Sequence, residues 1–330
     1  MFIKLNGLNI KSILSVVPKN KFNISRNKKE NNSYINCLAK LHGINSCYKS
    51  REKSTVDLFI FAAKKILNKN NIEKSSIDIL ICVTQTPDYL MPSCSNIVHQ
   101  KLKFKLDCLA FDINLGCSGF VYGLWNIMSA MKSSQMQRGL LLVGDTISKI
   151  ISKNDLANQL LFGDAVTATL IEKKKNINNF FLLGSALTGY DKLMIKNSGF
   201  KDSKLSKKKF IMDGKEVFSF VLRSIPNLVL KLIKESKFNI KNISYFIFHQ
   251  ANKMMLDKVF DLLNVRNKKR LYSIKNFGNT SSASIPLTAS FKLSEKKVKN
   301  VLLSGFGAGF SFALLITTFK YTKIFKVFRY

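Results

Sequence analysis

An α/β fold with a mostly parallel sheet is predicted by three features of this chain. Short, almost wholly apolar runs, such as 77–83 (IDILICV) and 243–249 (ISYFIFH), mark strands covered on both faces. Segments with apolar residues at helical spacing alternate with those runs in strand–loop–helix–strand order. The second half repeats the order of the first, so a duplicated fold is expected.

Residues 56–67 (VDLFIFAAKKIL) have the helical spacing, with Ser54 and Thr55 placed to cap the helix. After the 77–83 strand, Pro87 and Pro92 punctuate a loop. Residues 95–102 read as a helix and 108–113 (CLAFDI) as a strand. Gly116, Cys117, Ser118 and Gly119 form a tight turn into a long apolar helix, 120–132, which holds Trp125. Strands follow at 139–143 and 165–171. The polar Lys/Asn run 173–179 suits a linker, which divides the chain into halves 1–175 and 176–330. The second half then gives a helix at 214–232, a strand at 243–249 and a helix at 253–263. A helix at 281–292 carries a proline in its first turns. Strands at 301–304 and 310–319 are joined by a Gly-rich turn, 305–309.

Composition narrows the function. The 330 residues carry 53 Lys+Arg against 20 Asp+Glu, a net charge of +33. That excess raises nucleic acid as a partner. Yet the lysines are spread over the whole chain, with short clusters at 28–29, 173–175, 207–209, 268–270 and 296–297. A nucleic-acid footprint is an Arg-rich stripe interleaved with aromatics, and no zinc-finger spacing, RNP-type run or basic heptad occurs. No nucleic-acid partner is expected. With 46% hydrophobic residues the chain is not disordered. No run reaches the roughly 18 apolar residues of a membrane span. The first twenty residues alternate apolar with Lys and Asn and lack a signal-peptide core, so a cytoplasmic location is expected. All six cysteines lie between positions 37 and 117, without a C-x-x-C pair. Free thiols and no structural zinc follow.

Three positions carry chemistry. Cys117, in DINLGCSGF, sits between a buried strand and the start of a helix. Helix-terminal N–H groups favour a thiolate there, and the Cys117 N–H can serve as an oxyanion donor. His249, in YFIFHQAN, ends an apolar strand, where α/β folds build their sites. Only three histidines exist; His42 reads as lying in a loop and His99 at a helix end. Asn279, in NFGNTSSASIP, reads as a helix cap or as an amide donor to an enolate oxygen. A neutral His with an Asn repels no carboxylate, which suits decarboxylation.

Together these motifs, with LLFGDA, MDGKEVF, GFGAGF and TPDYLMPS, resemble the β-ketoacyl-acyl carrier protein synthase III family of the thiolase superfamily. The resemblance covers residues 1–319. It implies a duplicated, five-layer αβαβα thiolase-type fold with mostly parallel mixed sheets. It implies that Cys117 accepts an acyl group from a thioester. His249 and Asn279 would then hold the enolate of a decarboxylating malonyl thioester. The N–H groups of Cys117 and Ala308 would form the oxyanion hole, and Met91, Asn252, Phe306 and Gly307 would contact substrate. Tyr89, Leu90 and Met91 would line the acyl pocket across the interface of a homodimer, although Met91 also reads as plain core. The implied partners are an acyl carrier protein, an acyl-CoA or acyl-carrier starter and a malonyl thioester. No metal or redox cofactor is implied.

The chain departs from the family at the positions that hold CoA. Cys37, Leu41, Leu156 and Met254 stand where acyl-CoA users have Trp and Arg, with Lys40 and Lys253 nearby. A lysine does not reproduce the bidentate phosphate contact of arginine. A starter on an acidic carrier protein, steered by the basic surface, is the alternative. A second enzyme reading passes the Cys117 acyl group to a hydroxyl or amine acceptor. A third, a basic binder on a dead scaffold, conflicts with the complete Cys-His-Asn set. The tail 320–330 (KYTKIFKVFRY) reads as a frayed or packed extension, with a membrane-surface contact as its alternative.

Overall fold

The structure, a computed structural model, describes residues 1–24, 33–199 and 209–330, with the side chains of 33–36 left aside. The lysine cluster 28–29 and most of 207–209 lie outside the described residues. The chain opens on the long strand β1 (Phe2–Val17), then β2 (Lys21–Asn23), α1 (Ser33–His42) and β3 (Ser46–Tyr48). Next come α2 (Thr55–Lys69), β4 (Ile79–Val83), α3 (Cys94–Leu102), β5 (Leu109–Ile113), α4 (Gly119–Lys132) and β6 (Arg138–Asp145). Helix α5 (Leu156–Leu161) leads into β7 (Ala165–Ser185) and the hairpin β8 (Leu193–Lys196)–β9 (Lys209–Met212). The remainder is α6 (Gly214–Ser236), β10 (Ile243–Phe248), α7 (Lys253–Leu262), α8 (Ile274–Phe277) and α9 (Ser284–Leu293). Strands β11 (Asn300–Gly307), β12 (Ser311–Thr318), β13 (Lys323–Ile324) and β14 (Phe328–Arg329) close the chain.

Local chemistry explains the well-read elements. Ser54 starts α2 with a reciprocal cap: its hydroxyl accepts the Asp57 N–H, and the Asp57 carboxylate accepts the Ser54 N–H. Strand β4 is buried at all its positions, as an all-apolar run requires. His42 is a difference, because it ends helix α1 rather than lying in a loop.

One mixed sheet runs β10-β11-β12-β7-β6-β4-β5, with β1 laid antiparallel on β7. Strands β1 and β7 serve both arms of it. Residues 2–6 of β1 pair with 178–182, and residues 8–16 pair with 166–173. The expected linker at 173–179 is therefore continuous strand. Its side chains alternate, so Ile177 and Asn179 turn inward while Lys173, Lys175 and Asn178 stay exposed. Both ends of the Asn179 amide are hydrogen-bonded. Its NH2 donates to the Leu8 carbonyl, and its oxygen accepts from the Thr317 hydroxyl.

Five layers pack through three main apolar cores. Helices α2 and α3 pack on the β4–β6 arm through Phe59, Ala63, Val98 and Leu142. Helices α6 and α7 pack on the β10–β12 arm through Val221, Val259, Phe248 and Leu314. Helices α4 and α9 lie between the arms, where Phe120, Leu124 and Ile285 meet Ile81, Leu141, Leu303 and Leu315. Each fully buried large side chain there contributes about 1.5–3 kcal/mol. This α/β/α/β/α stack is the expected fold. Its central layer brings the N-termini of α4 and α9 together. No helix among the described residues is long and apolar enough to cross a membrane.

The tail is packed. Strands β13 and β14 pair in parallel with β1, and the Tyr330 backbone exchanges hydrogen bonds with Val17 and Lys19. The Tyr330 ring stacks on Phe61 with centroids 4.1 Å apart, and Phe325 and Phe328 also face the protein, while Tyr321 is exposed. Deleting 320–330 is expected to remove about 2–4 kcal/mol of stability through lost apolar burial, read as a lower urea midpoint. An unchanged midpoint would show that this packing contributes nothing.

Candidate active site

Cys117 lies two residues before α4, after the loop that follows β5. The Ser118 hydroxyl makes no helix cap. It pairs with the Ser311 hydroxyl at 2.7 Å, and Ser311 also donates to the Ala308 carbonyl at 2.9 Å. These two bonds tie the Cys117 loop to the β11–β12 turn. Gly307 allows the close approach, since a Cβ there would sit 2.7 Å from Cys117 Sγ. His249 follows β10 directly, its N–H donating to the Ser304 carbonyl at 2.8 Å. Asn279 precedes α9, held by backbone bonds to Leu161 and Gly163. Cys117, His249, Asn279 and Ala308 line one cavity of about 1220 Å³.

The electrostatics differ from expectation at Cys117. A thiolate favoured by the helix start was expected. Burial instead pushes the thiol pKa up to about 12, against smaller pulls from the Ala308 and Cys117 N–H groups, with the nearby Asp145 carboxylate adding to the rise. Two N–H groups do not replace the hydration a buried thiolate loses. Cys117 therefore rests as a neutral thiol.

His249 is buried, and desolvation lowers its pKa to about 3, opposed by the Ser281 backbone. The imidazole is neutral throughout the physiological range. Its unfolded counterpart protonates near pH 6.5. Stability contributed by the neutral ring is thus complete above pH 6.5 and lost as pH falls toward 3. The wild type is expected to lose stability relative to His249→Gln as the pH of urea titrations is lowered from about 7 to about 4. Parallel pH profiles would contradict this.

Asn279 is oriented by its own loop. Its side-chain oxygen accepts the Ser281 N–H at 2.9 Å, which leaves the NH2 uncommitted at the cavity wall. Ser281 achieves this with a left-handed backbone, φ +50°, a conformation non-glycine residues hold only under constraint.

The remaining named residues divide. The Phe306 ring stands edge-on to His249, centroids 5.6 Å apart, and lines the cavity with Gly307. Asn252 is on the wall too, but its side-chain oxygen caps α7 by accepting the Met255 N–H at 2.7 Å. Met91 is 85% exposed and off the wall of its own chain's cavity, so the core reading fails. At the mouth, Leu41 and Met254 are exposed on the wall, and Cys37 and Leu156 are exposed nearby. The Lys253 ammonium is engaged by Asp257 at 2.5 Å.

Sequence reasoning missed Asp145, Gln85 and His42. Buried Asp145 accepts from the Gln85 N–H at 2.7 Å, from the Thr84 and Thr86 hydroxyls, and from Ser282 at 3.4 Å. It locks the loop after β4 and the start of α9 around Cys117. Two threonines flanking a glutamine just past a buried strand were the only signal for it. His42 also lines the cavity, and no pattern pointed to it.

Fold and site together define a class: a thiolase-type α/β protein with a buried thiol, a neutral imidazole and a free carboxamide around one cavity. Comparison with known proteins narrows this. The family models for 3-oxoacyl-(acyl-carrier-protein) synthase III match residues 111–189 and, for the C-terminal part, 233–319. A beta-ketoacyl-(acyl-carrier-protein) synthase III of Clostridium perfringens is 34% identical over 278 residues, 81% of this chain and 85% of that protein. A 3-oxoacyl-(acyl-carrier-protein) synthase of Burkholderia xenovorans LB400 superposes with a TM-score of 0.96 at 31% identity, covering 100% of this chain and 99% of the other. A 3-oxoacyl-(acyl-carrier-protein) synthase III of Aquifex aeolicus gives 0.85 at 25% identity, over 94% of this chain and 100% of its own. This chain belongs to the 3-oxoacyl-(acyl-carrier-protein) synthase III family.

Proposed function

We propose that the chain condenses an acyl starter with a malonyl group carried on acyl carrier protein, with loss of CO2. In the first stage the Cys117 sulfur attacks the starter thioester. The carrier thiol leaves with the proton that Cys117 gives up. In the second stage the malonyl C–C bond to the carboxylate breaks, and CO2 departs. The electron pair left behind forms an enolate, whose oxygen receives hydrogen bonds from His249 and the Asn279 NH2. The enolate carbon attacks the acyl carbonyl, whose oxygen is held by the Cys117 and Ala308 N–H groups. Collapse releases the 3-oxoacyl product and the Cys117 thiolate, which takes a proton from solvent.

The observation that carries this reading is the Asn279 amide. Its oxygen is spent on Ser281, which leaves two N–H donors beside a neutral imidazole in the Cys117 cavity. Transfer to a hydroxyl or amine acceptor needs no such pair. Leu41 and Met254 put apolar side chains where a nucleotide phosphate would need a cation, and among the described residues Lys215 is the one lysine or arginine on the cavity wall, so the starter arrives on an acidic carrier protein, drawn by the +33 surface. The halves 1–175 and 176–330 supply Cys117 and the His249–Asn279 pair respectively.

A homodimer fits the open edge of β5. Leu109 on that strand is exposed, as are Leu106, Tyr89, Leu90 and Met91 near it. Edge-to-edge pairing with a second copy covers them and turns Met91 toward the partner. The free thiols suit a reducing cytoplasm.

The test incubates purified protein with malonyl-acyl carrier protein and a panel of acyl-CoA and acyl-carrier starters. CO2 release with a 3-oxoacyl product is expected. Their absence across the panel defeats the reading. Turnover of an acyl-Cys117 adduct without malonyl groups favours the acceptor reading.

A further inference from the structure

His249 has a partner that motif reasoning does not reach. Ser284, the first residue of α9, is buried, and its Oγ lies 2.7 Å from His249 Nδ1. The same oxygen faces the Gln250 backbone N–H at 3.4 Å. A serine hydroxyl has one proton to give and two lone pairs. With the Gln250 N–H on one lone pair, the hydroxyl can give its proton to the Nδ1 lone pair, and the Ser281 backbone, which also bonds the ring, is then left to the other nitrogen. The ring proton then sits on Nε2, the nitrogen not turned to α9, while His249 itself is on the cavity wall. The position is rigid. The Ser284 carbonyl accepts the Thr288 hydroxyl at 2.7 Å one turn on, and Thr288 also pairs with Ser273.

We propose that Ser284 is a positioning residue that holds His249 in its Nε2–H tautomer, so that the imidazole presents a donor to the cavity. Its catalytic consequence rests on the condensation proposed above, in which His249 donates to an enolate oxygen. A neutral imidazole donates from one nitrogen only, so an Nδ1–H ring would meet that oxygen with a lone pair. Burial keeps the ring neutral, so the tautomer is what decides whether it can act.

The chain has three histidines, which makes the tautomer readable. Protein labelled with ¹⁵N-histidine is examined by two-bond nitrogen–proton correlation, and the His249 signals are identified by their loss in His249→Gln. Wild type is expected to show a protonated Nε2 and an unprotonated Nδ1. Ser284→Ala is expected to populate the Nδ1–H form. Its condensation rate should fall about 10–100-fold, the cost of one buried hydrogen bond, while Cys117 acylation stays within about 3-fold. Ser284→Thr, which restores a hydroxyl, should recover both readouts. A wild-type ring protonated at Nδ1 overturns the proposal without any variant. So does a Ser284→Ala protein with an unchanged tautomer. If the tautomer shifts in Ser284→Ala but neither protein condenses any thioester, the Ser284 assignment stands and the proposed activity falls.

Discussion

Cys117→Ala protein gains no acyl mass when incubated with acyl thioesters that add one acyl group to the wild type, and its condensation rate falls by about 10⁴-fold or more. The reason is covalent. Cys117 is the thiol on the wall of the cavity, wedged against Gly307 and faced by the Ala308 N–H. The other buried cysteines pack in apolar cores or beneath loops, and burial pushes the thiols of Cys47 and Cys94 up to about 12 as well. Protonation alone therefore does not single out Cys117. What sets it apart is the cavity and the two N–H groups beside the sulfur. Intact-protein mass spectrometry measures the adduct directly. A persisting adduct in Cys117→Ala would move the nucleophile elsewhere.

The second large effect separates the two stages. Asn279→Ala and His249→Ala are each expected to slow condensation by about 10²–10³-fold, the usual cost of losing one preorganised donor to a developing oxyanion. Acylation of Cys117 should persist in both. The Asn279 variant is the cleaner probe, because its backbone bonds to Leu161 and Gly163 survive the change. The measurement pairs CO2 release with adduct mass. Equal loss of both stages would assign Asn279 to shaping the Cys117 loop. The double variant should lose less than the sum of the singles, since both donors serve one oxygen in the proposed condensation.

Much of the fold is legible in the sequence because its strands and helices follow burial period closely. The runs IDILICV and ISYFIFH are strands, and the capping box at Ser54 begins a helix. The 173–179 run misleads for a definite reason. Asn and Lys are poor strand formers, so composition speaks for a linker. The period-2 placement of Ile177 and Asn179 speaks for a strand, and pairing with β1 prevails. A buried asparagine is tolerated there because both ends of its amide are hydrogen-bonded. The residues around Met91 leave it two readings, pocket lining across a dimer interface and plain core, and only its 85% exposure in the folded chain removes the second.

From residue 56 on, local sequence accounts for most helices and strands, though not α5 or the β8–β9 hairpin, and for the seating of Cys117, His249 and Asn279 at a helix start, a strand end and a second helix start. Those follow from local rules of burial, capping and turn chemistry, which act over a few residues. Tertiary structure alone decided the state of each group. Layering α4 and α9 between two sheet arms brought the three residues to one cavity. The same burial desolvates their charged forms, so the thiol keeps its proton and the imidazole refuses one. The direction of the Asn279 amide and the partner of His249 depend on Ser281 and Ser284. Such hydrogen bonds are set by angles and tenths of an ångström, which residue identity and spacing do not encode.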